Sequence, residues 1–336
     1  MKPNVFFRAD GNAEIGLGHV IRSLALAHIL KEDFECIFLI QDVAEFLKNE
    51  ILKTCTSIIS LNTTLNYAEE AVYISHTFIN AGDILVLDGY NFKTEYQQTL
   101  KNKGIKLVCI DDLYQWHFVA DAIINQNPSI KASFYSKENY TKLYIGFDFL
   151  LLRKCFIEEI RNSREIVKVE NAFICIGGAD PANITEIALR AALKTASFSK
   201  INVVTGGAYK HIASLKMLVT DNPDIVKHYT NLTADEMLSL IKSSEFAIAP
   251  ASSISMELLC VGVNLLTGYF VDNQKKFSEY MHNVGLGYSL GNLNEVSESL
   301  WIKCIKENLY NGTYKTQKKI LEGVDEGKLK FIFKNL

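Results

Sequence analysis

The sequence contains no run of about 20 apolar residues, the length that a helix needs to cross a bilayer. Its first residues carry a single lysine and enter a predicted strand directly, without the apolar segment of a signal peptide. The seven cysteines are scattered, and no two of them form a C-x-x-C pair. These absences favour a cytoplasmic protein with reduced thiols, and they argue against a disulfide framework or a structural zinc site.

An excess of charge of one sign is also lacking. The 336 residues include 35 Lys and Arg against 38 Asp and Glu, a formal net charge of -3. This balance gives no electrostatic case for a nucleic-acid partner, so any anionic ligand must be held by local geometry. With 48% hydrophobic and 22% charged residues and no low-complexity tract, the composition is that of an ordinary globular protein. No feature indicates an obligate protein partner.

The length and the pattern of apolar residues predict two α/β domains. At about 150 residues per domain, 336 residues suggest two. Short apolar runs alternate with segments whose apolar positions recur every three or four residues, which predicts parallel, doubly wound sheets. A charged stretch at residues 157–170 interrupts this alternation. We therefore predict Rossmann-like domains at residues 1–155 and 156–336 that face each other across a cleft, with a last helix able to pack back on a domain. The predicted strands cover residues 5–8, 36–40, 84–88, 106–110, 122–125, 172–176, 201–204, 225–229, 246–249 and 264–266.

The first predicted strand leads into a glycine loop that ends in a histidine. Gly16 and Gly18 allow the backbone to approach a ligand closely, and the helix predicted to begin at His19 offers unpaired N–H groups there. An imidazole in this position can accept or donate a proton near neutral pH, although a lone histidine can also simply bond its own loop. We take His19 as the candidate catalytic residue, with Asp10 and Tyr90 as further catalytic candidates. Asp10, at the strand end, can orient the imidazole or fix the loop, and Arg8 is expected in a buried ion pair.

The loop does not fit the common nucleotide-binding motifs. A dinucleotide fingerprint would need glycine where Ile21 stands, and Asp42 is only a loose match for its acidic residue. The Walker pattern is absent, and so are HExxH and His/Cys clusters. The adjacent Asp111 and Asp112 would point in opposite directions from an extended segment, so we predict no metal and no cofactor.

Two further strands of the first domain end in acids. Asp88, followed by Tyr90, ends one strand, and Asp111 follows the next. A strand-end acid can instead cap the following helix. Because the carboxyl ends of parallel strands meet at one edge of a sheet, we expect these side chains to lie near His19.

The second domain has matching features at its own strand ends. A glycine pair follows one strand and can admit a diphosphate, while a helix that starts with serines can hold phosphate through its N–H groups and hydroxyls. A glutamate one turn into that helix can accept two hydrogen bonds from a ribose diol, although a plain capped helix would look the same. The candidate contacts in this domain are Gly177, Gly178, Ser253, Ser255, Glu257, Asn273 and Gln274.

Taken in order, these motifs resemble the PseG family, the UDP-sugar hydrolases of pseudaminic acid biosynthesis, which are relatives of the MurG-type glycosyltransferases. The matching elements keep the family order across about 270 residues. They are Arg8-x-Asp10, Ile15-Gly16-x-Gly18-His19, Arg22, Asp88-x-Tyr90, Asp111-Asp112-Leu113, Asn125-Gln126-Asn127, Gly146, Leu152-Arg153, Gly177-Gly178-x-Asp180-Pro181, Glu257 and Asn273-Gln274.

The resemblance implies a GT-B-like fold and a metal-independent hydrolase that removes UDP from a UDP-linked 2,4-diacetamido-2,4,6-trideoxyhexose by attack of water at the anomeric carbon. It implies that His19 is the catalytic histidine, that Tyr90 lies near the sugar, and that the second domain binds UDP. Two alternatives stay open: a GT-B glycosyltransferase using the same donor, and a nucleotide-sugar binding protein without activity. The implied substrate-binding residues of the first domain are Gly16, Gly18, Arg22, Asp88, Asp111 and Asn127.

Overall fold

The computed structural model describes residues 2–11, 17–43 and 45–336. The prediction for Gly16 therefore lies outside the described residues. The chain divides into two compact units, one of Met1–Arg153 with Val324–Leu336 and one of Lys154–Gly323. The last helix thus belongs to the first unit.

The described residues of the first unit form a seven-stranded sheet in which every neighbouring pair of strands is parallel. Its elements are β1 (Asn4–Ala9), α1 (Gly18–Leu30), β2 (Glu35–Gln41), α2 (Glu45–Leu52), β3 (Ser57–Leu61), α3 (Tyr67–Thr77), β4 (Ile84–Asp88), α4 (Thr94–Lys101), β5 (Lys106–Ile110), β6 (His117–Phe118), β7 (Ala122–Asn125), β8 (Ser136–Lys137), β9 (Lys142–Ile145), the 3₁₀ helices Ala132–Phe134 and Phe147–Phe149, and α13 (Gly327–Lys334).

Burial on both faces explains why the central strands of this sheet are continuous apolar runs. All five residues of β4 and all four of β7 are buried, as parallel strands covered by helices on both sides require. One apolar core includes α1 and α13, the latter through Leu329, Ile332 and Phe333. A second core lies on the opposite face and includes side chains of α3 and α4.

Residues 154–323, all of them described, form a six-stranded parallel sheet. Trp301 is fully buried in the core of this unit. The elements are α5 (Lys154–Glu159), β10 (Asn171–Ile174), α6 (Ile184–Thr195), β11 (Lys200–Thr205), α7 (Ile212–Asp221), β12 (Val226–Thr230), α8 (Ala234–Lys242), β13 (Phe246–Ile248), α9 (Ser253–Val261), β14 (Asn264–Tyr269), α10 (Asp272–Asn283), β15 (Tyr288–Asn292), the 3₁₀ helix Leu293–Glu295, α11 (Glu298–Asn308) and α12 (Thr313–Leu321).

The strand orders place a topological switch point in each sheet. The first sheet runs β3-β2-β1-β4-β5-β7-β9, and the second runs β12-β11-β10-β13-β14-β15. The order reverses between β1 and β4 in one unit and between β10 and β13 in the other. In open α/β sheets, ligands bind outside the carboxyl ends of the strands at such a point. The predicted doubly wound α/β architecture is confirmed.

Five strands of the described chain were not predicted: the two-residue strands β6 and β8, which pair with each other, and β3, β9 and β15, which lie at the edges of the large sheets. Almost all residues of these three edge strands are partly or fully exposed, so they lack a continuous buried apolar run. The cysteines are free thiols, and all but Cys155 are buried. In the described parts of the chain, no helix combines the length and the apolar character needed to span a membrane.

Candidate active site

His19 lies at the start of α1 and meets the end of β4. Its Nδ1 is 2.7 Å from Oδ1 of Asp88, the last residue of that strand. Both residues are buried, and Asp88 is fully so. His19 is the second residue of α1, and β1, the strand before this helix, pairs with β4. The switch point of the sheet therefore brings the imidazole and the carboxylate together.

Arg22, one turn further along α1, holds the same carboxylate from a second side. Its Nε donates to Oδ2 of Asp88 at 2.9 Å, and its Nη2 donates to Oδ1. The Ser23 hydroxyl adds a bond to Oδ2 at 3.3 Å. The structure pairs Arg22 and Asp88 with each other, and these contacts fix the carboxylate beside the imidazole. The predicted contact of both residues with substrate stays a prediction.

The paired charges keep Asp88 ionised despite its burial. Burial alone would raise the pKa of this carboxyl, but the charge of Arg22 and the hydrogen bonds from Arg22 and His19 outweigh it and hold the pKa below its usual value. Burial likewise opposes the charge on Arg22, yet Asp88 raises the pKa of the guanidinium above its ordinary value. The site therefore contains a fixed carboxylate beside the imidazole.

An ionised carboxylate selects the tautomer of the ring. Asp88 can only accept a hydrogen bond, so Nδ1 of His19 carries the proton and donates it. Arg22 Nη2 also lies 3.2 Å from the same Nδ1 and could donate to it only if that nitrogen carried no proton. The shorter contact of 2.7 Å with a carboxylate that can only accept favours the proton on Nδ1. Nε2 then keeps its lone pair, as in other carboxylate–histidine pairs, and can accept a proton.

Tyr90 lies beside the imidazole and is partly open to solvent. The two rings meet edge to face with centroids 4.7 Å apart, and 45% of Tyr90 is exposed. Burial of the rest of the side chain, followed by the charge of Asp112, raises the pKa of Tyr90 to about 12. The phenol therefore stays protonated at neutral pH and can donate a hydrogen bond to a ligand at His19.

The two acids that follow β5 have different surroundings. Asp111 accepts hydrogen bonds from the backbone N–H of Tyr114 at 2.8 Å and from the Tyr135 hydroxyl at 2.9 Å. Burial raises its pKa to about 6. In the structure, Asp111 fixes the loop after β5, and its predicted contact with substrate stays a prediction. Asp112 lies 3.4 Å from Arg22 through Oδ2 and extends the charged cluster around His19.

Asp10 fixes the start of the loop, which is one of the two predicted roles. Among the described residues its carboxylate contacts Arg8, the backbone N–H of Gln41 and the Tyr67 hydroxyl, while Asp88 orients the imidazole. Arg8 is fully buried and donates to both oxygens of Glu70, at 2.8 and 2.9 Å. The prediction of a buried ion pair for Arg8 is confirmed.

Two other residues predicted to bind substrate in the first unit have modest local roles. Asn127 accepts hydrogen bonds from the backbone and the hydroxyl of Ser129, a local turn. A side-chain carbon added at Gly18 would meet nothing within 4 Å, so the space next to this residue is open. The contacts of Asn127 are those of a residue that fixes a turn.

The loops after β10 and β11 bring glycine main chain to the switch point of the second sheet, and Asp180 in the first of these loops accepts hydrogen bonds from the N–H groups that begin α6. Gly177 follows β10 with φ +106°, a conformation that favours glycine. A carbon added at Gly206, after β11, would lie 2.5 Å from Cα of Gly178. The loops after these two strands therefore touch through their main chains, and open space remains next to Gly177 and Gly178.

Ser255, near the start of α9, acts as a helix cap. It is fully buried, its hydroxyl donates to the Ser252 carbonyl at 2.7 Å, and it accepts from the Ser252 N–H at 3.1 Å. Its predicted contact with phosphate stays a prediction. Ser253 is exposed at the first position of the helix, and Glu257, one turn later, is buried.

The last two residues predicted to bind the ligand, Asn273 and Gln274, lie at the start of α10 and have different surroundings. Asn273 is exposed in the first turn of the helix. Gln274 turns back, and its side-chain oxygen accepts from the N–H of Phe270 at 3.2 Å. In the described residues of both units, no three His, Cys, Asp or Glu side chains come together as a metal site would require.

The fold is that of GT-B glycosyltransferases. MurG of Acinetobacter baumannii aligns with a TM-score of 0.62 over 98% of this chain and 98% of its own, at 12% identity. No protein-family model matches the sequence.

Two curated proteins show what the sequence itself is similar to. The UDP-2,4-diacetamido-2,4,6-trideoxy-beta-L-altropyranose hydrolase of Campylobacter jejuni is 25% identical over 285 residues, covering 84% of this chain and 97% of that protein. The spore coat polysaccharide biosynthesis protein SpsG of Bacillus subtilis is 26% identical over 291 residues, covering 84% and 82%. The resemblance to the PseG hydrolase and the GT-B type of fold, both predicted from the motifs, are confirmed.

Sequence reasoning missed Ser23 and Gly206 as parts of these sites. The Thr205-Gly206-Gly207 segment has the same pattern as the predicted glycine pair, a strand followed by two glycines, so its signal was readable. The sequence carries no comparable signal for Ser23, because a serine inside a helix does not indicate that its hydroxyl contacts Asp88 at the end of β4.

Proposed function

We propose that this chain hydrolyses a UDP-linked 2,4-diacetamido-2,4,6-trideoxyhexose to UDP and the free sugar. The observation that carries the proposal is the pair formed by His19 and Asp88, 2.7 Å apart and held by Arg22 at the switch point of the first sheet. Similarity to the Campylobacter jejuni hydrolase over 97% of its length supports the same chemistry.

In the proposed reaction, His19 is the general base. Nε2 takes a proton from water, the water oxygen forms a bond to the anomeric carbon, and the bond from that carbon to the diphosphate oxygen breaks. The electron pair of the broken bond leaves with UDP. Asp88 stabilises the imidazolium that forms, because its carboxylate already accepts the proton on Nδ1. Tyr90 donates a hydrogen bond to the sugar.

We propose that the second unit, residues 154–323, binds the UDP part. The loop of Gly177 and Gly178 lets the main chain approach the diphosphate, and the N-terminus of α9 at Ser253 directs N–H groups toward it. Glu257 and Asn273 contact the ribose and base. The charge on the leaving diphosphate is then stabilised by backbone dipoles, without a metal.

The proposed role is a step of pseudaminic or other nonulosonic acid synthesis for surface polysaccharide. The similarity to a spore coat polysaccharide biosynthesis protein supports a place in polysaccharide synthesis.

The test is NMR and mass spectrometry of candidate UDP-diacetamido-trideoxyhexoses incubated with the protein in ¹⁸O water. We expect UDP release and ¹⁸O in the free sugar. Label in UDP would mean attack on phosphorus and would contradict the proposal. His19→Ala serves as the control for enzyme-dependent release.

A GT-B glycosyltransferase is the second candidate, favoured by the fold shared with MurG. Its donor and its catalytic residues would be the same, with an acceptor hydroxyl in place of water. UDP release that requires an added acceptor would favour transfer, and release in water alone favours hydrolysis. Substrate that stays intact after long incubation with and without acceptors would favour a nucleotide-sugar binding protein.

A further inference from the structure

A basic pocket lies in the second unit, away from the residues assigned to UDP. It has a volume of about 510 Å³ and is formed by the segment after α5 together with α12. The basic side chains that line it are Arg161, Arg164, Lys315, Lys318 and Lys319, and Glu322 is the acid among the lining residues.

The charges on three of these residues are not neutralised. Among the described residues, Arg161, Lys315 and Lys319 are exposed and take part in none of the ion pairs of this unit. Glu322 is the one carboxylate among the lining residues. The carboxylate of Glu159, whose main-chain carbonyl accepts from Lys318, is bound by Lys242 at 2.9 Å. The pocket is therefore a local excess of positive charge in a chain whose formal net charge is -3.

Two further cations, Lys318 and Arg164, line the pocket and are held by hydrogen bonds to main-chain carbonyls. Lys318 donates to the main-chain carbonyls of Glu159 and Cys260, both at 2.7 Å, and Arg164 donates to the carbonyl of Ser244. These acceptors are neutral, and burial lowers the pKa of both Lys318 and Arg164. Lys318 and Arg164 thus carry partly desolvated positive charges, which a bound anion would stabilise.

The pocket is separate from the proposed UDP contacts within the same unit. Ser253 is at the N-terminus of α9, whereas the Cys260 carbonyl that Lys318 binds is in the last turn of that helix. The nine residues of α9 span about 13 Å, so the two places lie at opposite ends of the helix.

We propose that this pocket is a second anion site that binds a phosphate-bearing ligand carrying at least two negative charges. Arg161 presents a planar guanidinium that matches phosphate oxygens in pairs, and Lys315 and Lys319 project from α12 as point charges. A volume of about 510 Å³ exceeds a single phosphate, so the ligand is a larger molecule or a lipid headgroup with a phosphate end.

The test measures binding of inorganic pyrophosphate by calorimetry at about 150 mM salt, where the attraction between distant charges is screened. Saturating UDP is included, because pyrophosphate can also enter a nucleotide site. We expect binding that persists with UDP and that weakens at least about tenfold in R161Q/K315Q/K319Q, which removes three charge-assisted contacts. The matched control is K216Q/K303Q/K306Q, which removes three exposed lysines elsewhere in the unit.

The outcomes separate this proposal from the proposed hydrolase function. No binding in the presence of UDP, unchanged binding in the pocket variant, or an equal loss in the control variant would each overturn the second site, whatever the enzyme assay gives. Vesicles then identify the source of the phosphate. Sedimentation with phosphatidylglycerol vesicles but not phosphatidylcholine vesicles, lost in the pocket variant, assigns a lipid headgroup. Pyrophosphate binding without sedimentation assigns a soluble ligand.

Discussion

The switch points of the two sheets have the same strand order but opposite chemistry. In the first unit, the edge between β1 and β4 is crowded with ionisable side chains, and His19, Asp88 and Arg22 hold one another in place. In the second, glycine main chain lies at the edge between β10 and β13, and the buried Asp180 there is bound to the N–H groups that begin α6. This difference is the basis for our proposal that the first edge moves a proton and the second holds a phosphate.

The most direct way to break this comparison is His19→Ala. Loss of a positioned general base costs about 10² to 10⁴ in rate, so we expect kcat to fall by that factor while UDP affinity stays unchanged. The measurements are UDP release and calorimetric titration with UDP.

The control for this variant is His76→Ala, which removes an exposed histidine of α3. It should leave both quantities as they are. A His19→Ala protein that turns over at the parental rate would refute the role of the first switch point in proton transfer.

Asp88→Asn tests whether the carboxylate, rather than the ring alone, makes the first edge catalytic. The amide can donate to Nδ1 and so favour the wrong tautomer, and we expect a loss of about 10² or more in kcat. Arg22 also loses a fully buried partner, which should lower the free energy of unfolding by about 3 to 5 kcal/mol.

Rate assays and urea denaturation measure the two effects of Asp88→Asn. Asp33→Asn, at an exposed pair with Lys334, is the matched change and should alter little. Equal effects of the two substitutions would contradict the positioning role.

Gly206→Ala tests the switch point of the second sheet. The new methyl would lie 2.5 Å from Cα of Gly178 and 2.6 Å from its carbonyl oxygen, so the loop after β10 must move. We expect UDP affinity to fall about tenfold, roughly 1.4 kcal/mol, with the His19 cluster unaffected.

Gly207→Ala is the neighbouring control, because its methyl would meet nothing nearer than 3.8 Å. Calorimetric titration with UDP compares the two variants. If both bind UDP as the parent does, the glycine loops are not the nucleotide site.

The last prediction concerns the pH dependence of stability at Asp111. Burial raises its pKa in the folded protein to about 6, above the value near 3.9 of an unfolded chain. The folded state therefore binds this proton more tightly, and the stabilisation is full below about pH 4 and is lost as the pH rises through about 6.

Asp111→Asn stays neutral at every pH. Relative to the parent, its free energy of unfolding should therefore rise by about 1 to 2 kcal/mol between pH 4 and pH 7.5, since partial exposure screens the carboxylate. Denaturant titrations at the two pH values measure this difference. A difference that does not change with pH would show that burial of Asp111 is not costly.

The sequence predicted the fold well where strands are buried on both faces. Continuous apolar runs such as β4 and β7 are recognisable without neighbours, whereas β3, β9 and β15 are partly exposed and have no comparable signal. Their pairing depends on the adjacent strand, which a local pattern does not contain.

The candidate site was predictable as a set of residues but not as a set of contacts. His19 and Asp88 were identified from the glycine loop and a strand end, and Arg22 from the family resemblance, but the sequence did not predict that the three side chains contact one another. The choice between binding a ligand and binding one another depends on side-chain distances of 2.7 to 2.9 Å between segments 66 to 69 residues apart. The sequence likewise did not predict that the Ser255 hydroxyl donates a hydrogen bond to the Ser252 carbonyl, because this contact also depends on a side-chain distance.

The position of α13 ties the end of the sequence to its beginning. Leu329, Ile332 and Phe333 complete a core that otherwise consists of residues from the first 151 positions. The first unit therefore cannot finish this core until residues 324–336, which follow the whole second unit in the sequence, are available to fold. A chain that stopped at residue 323 would keep every helix and strand of the second unit but would leave one face of the first sheet without three buried apolar side chains.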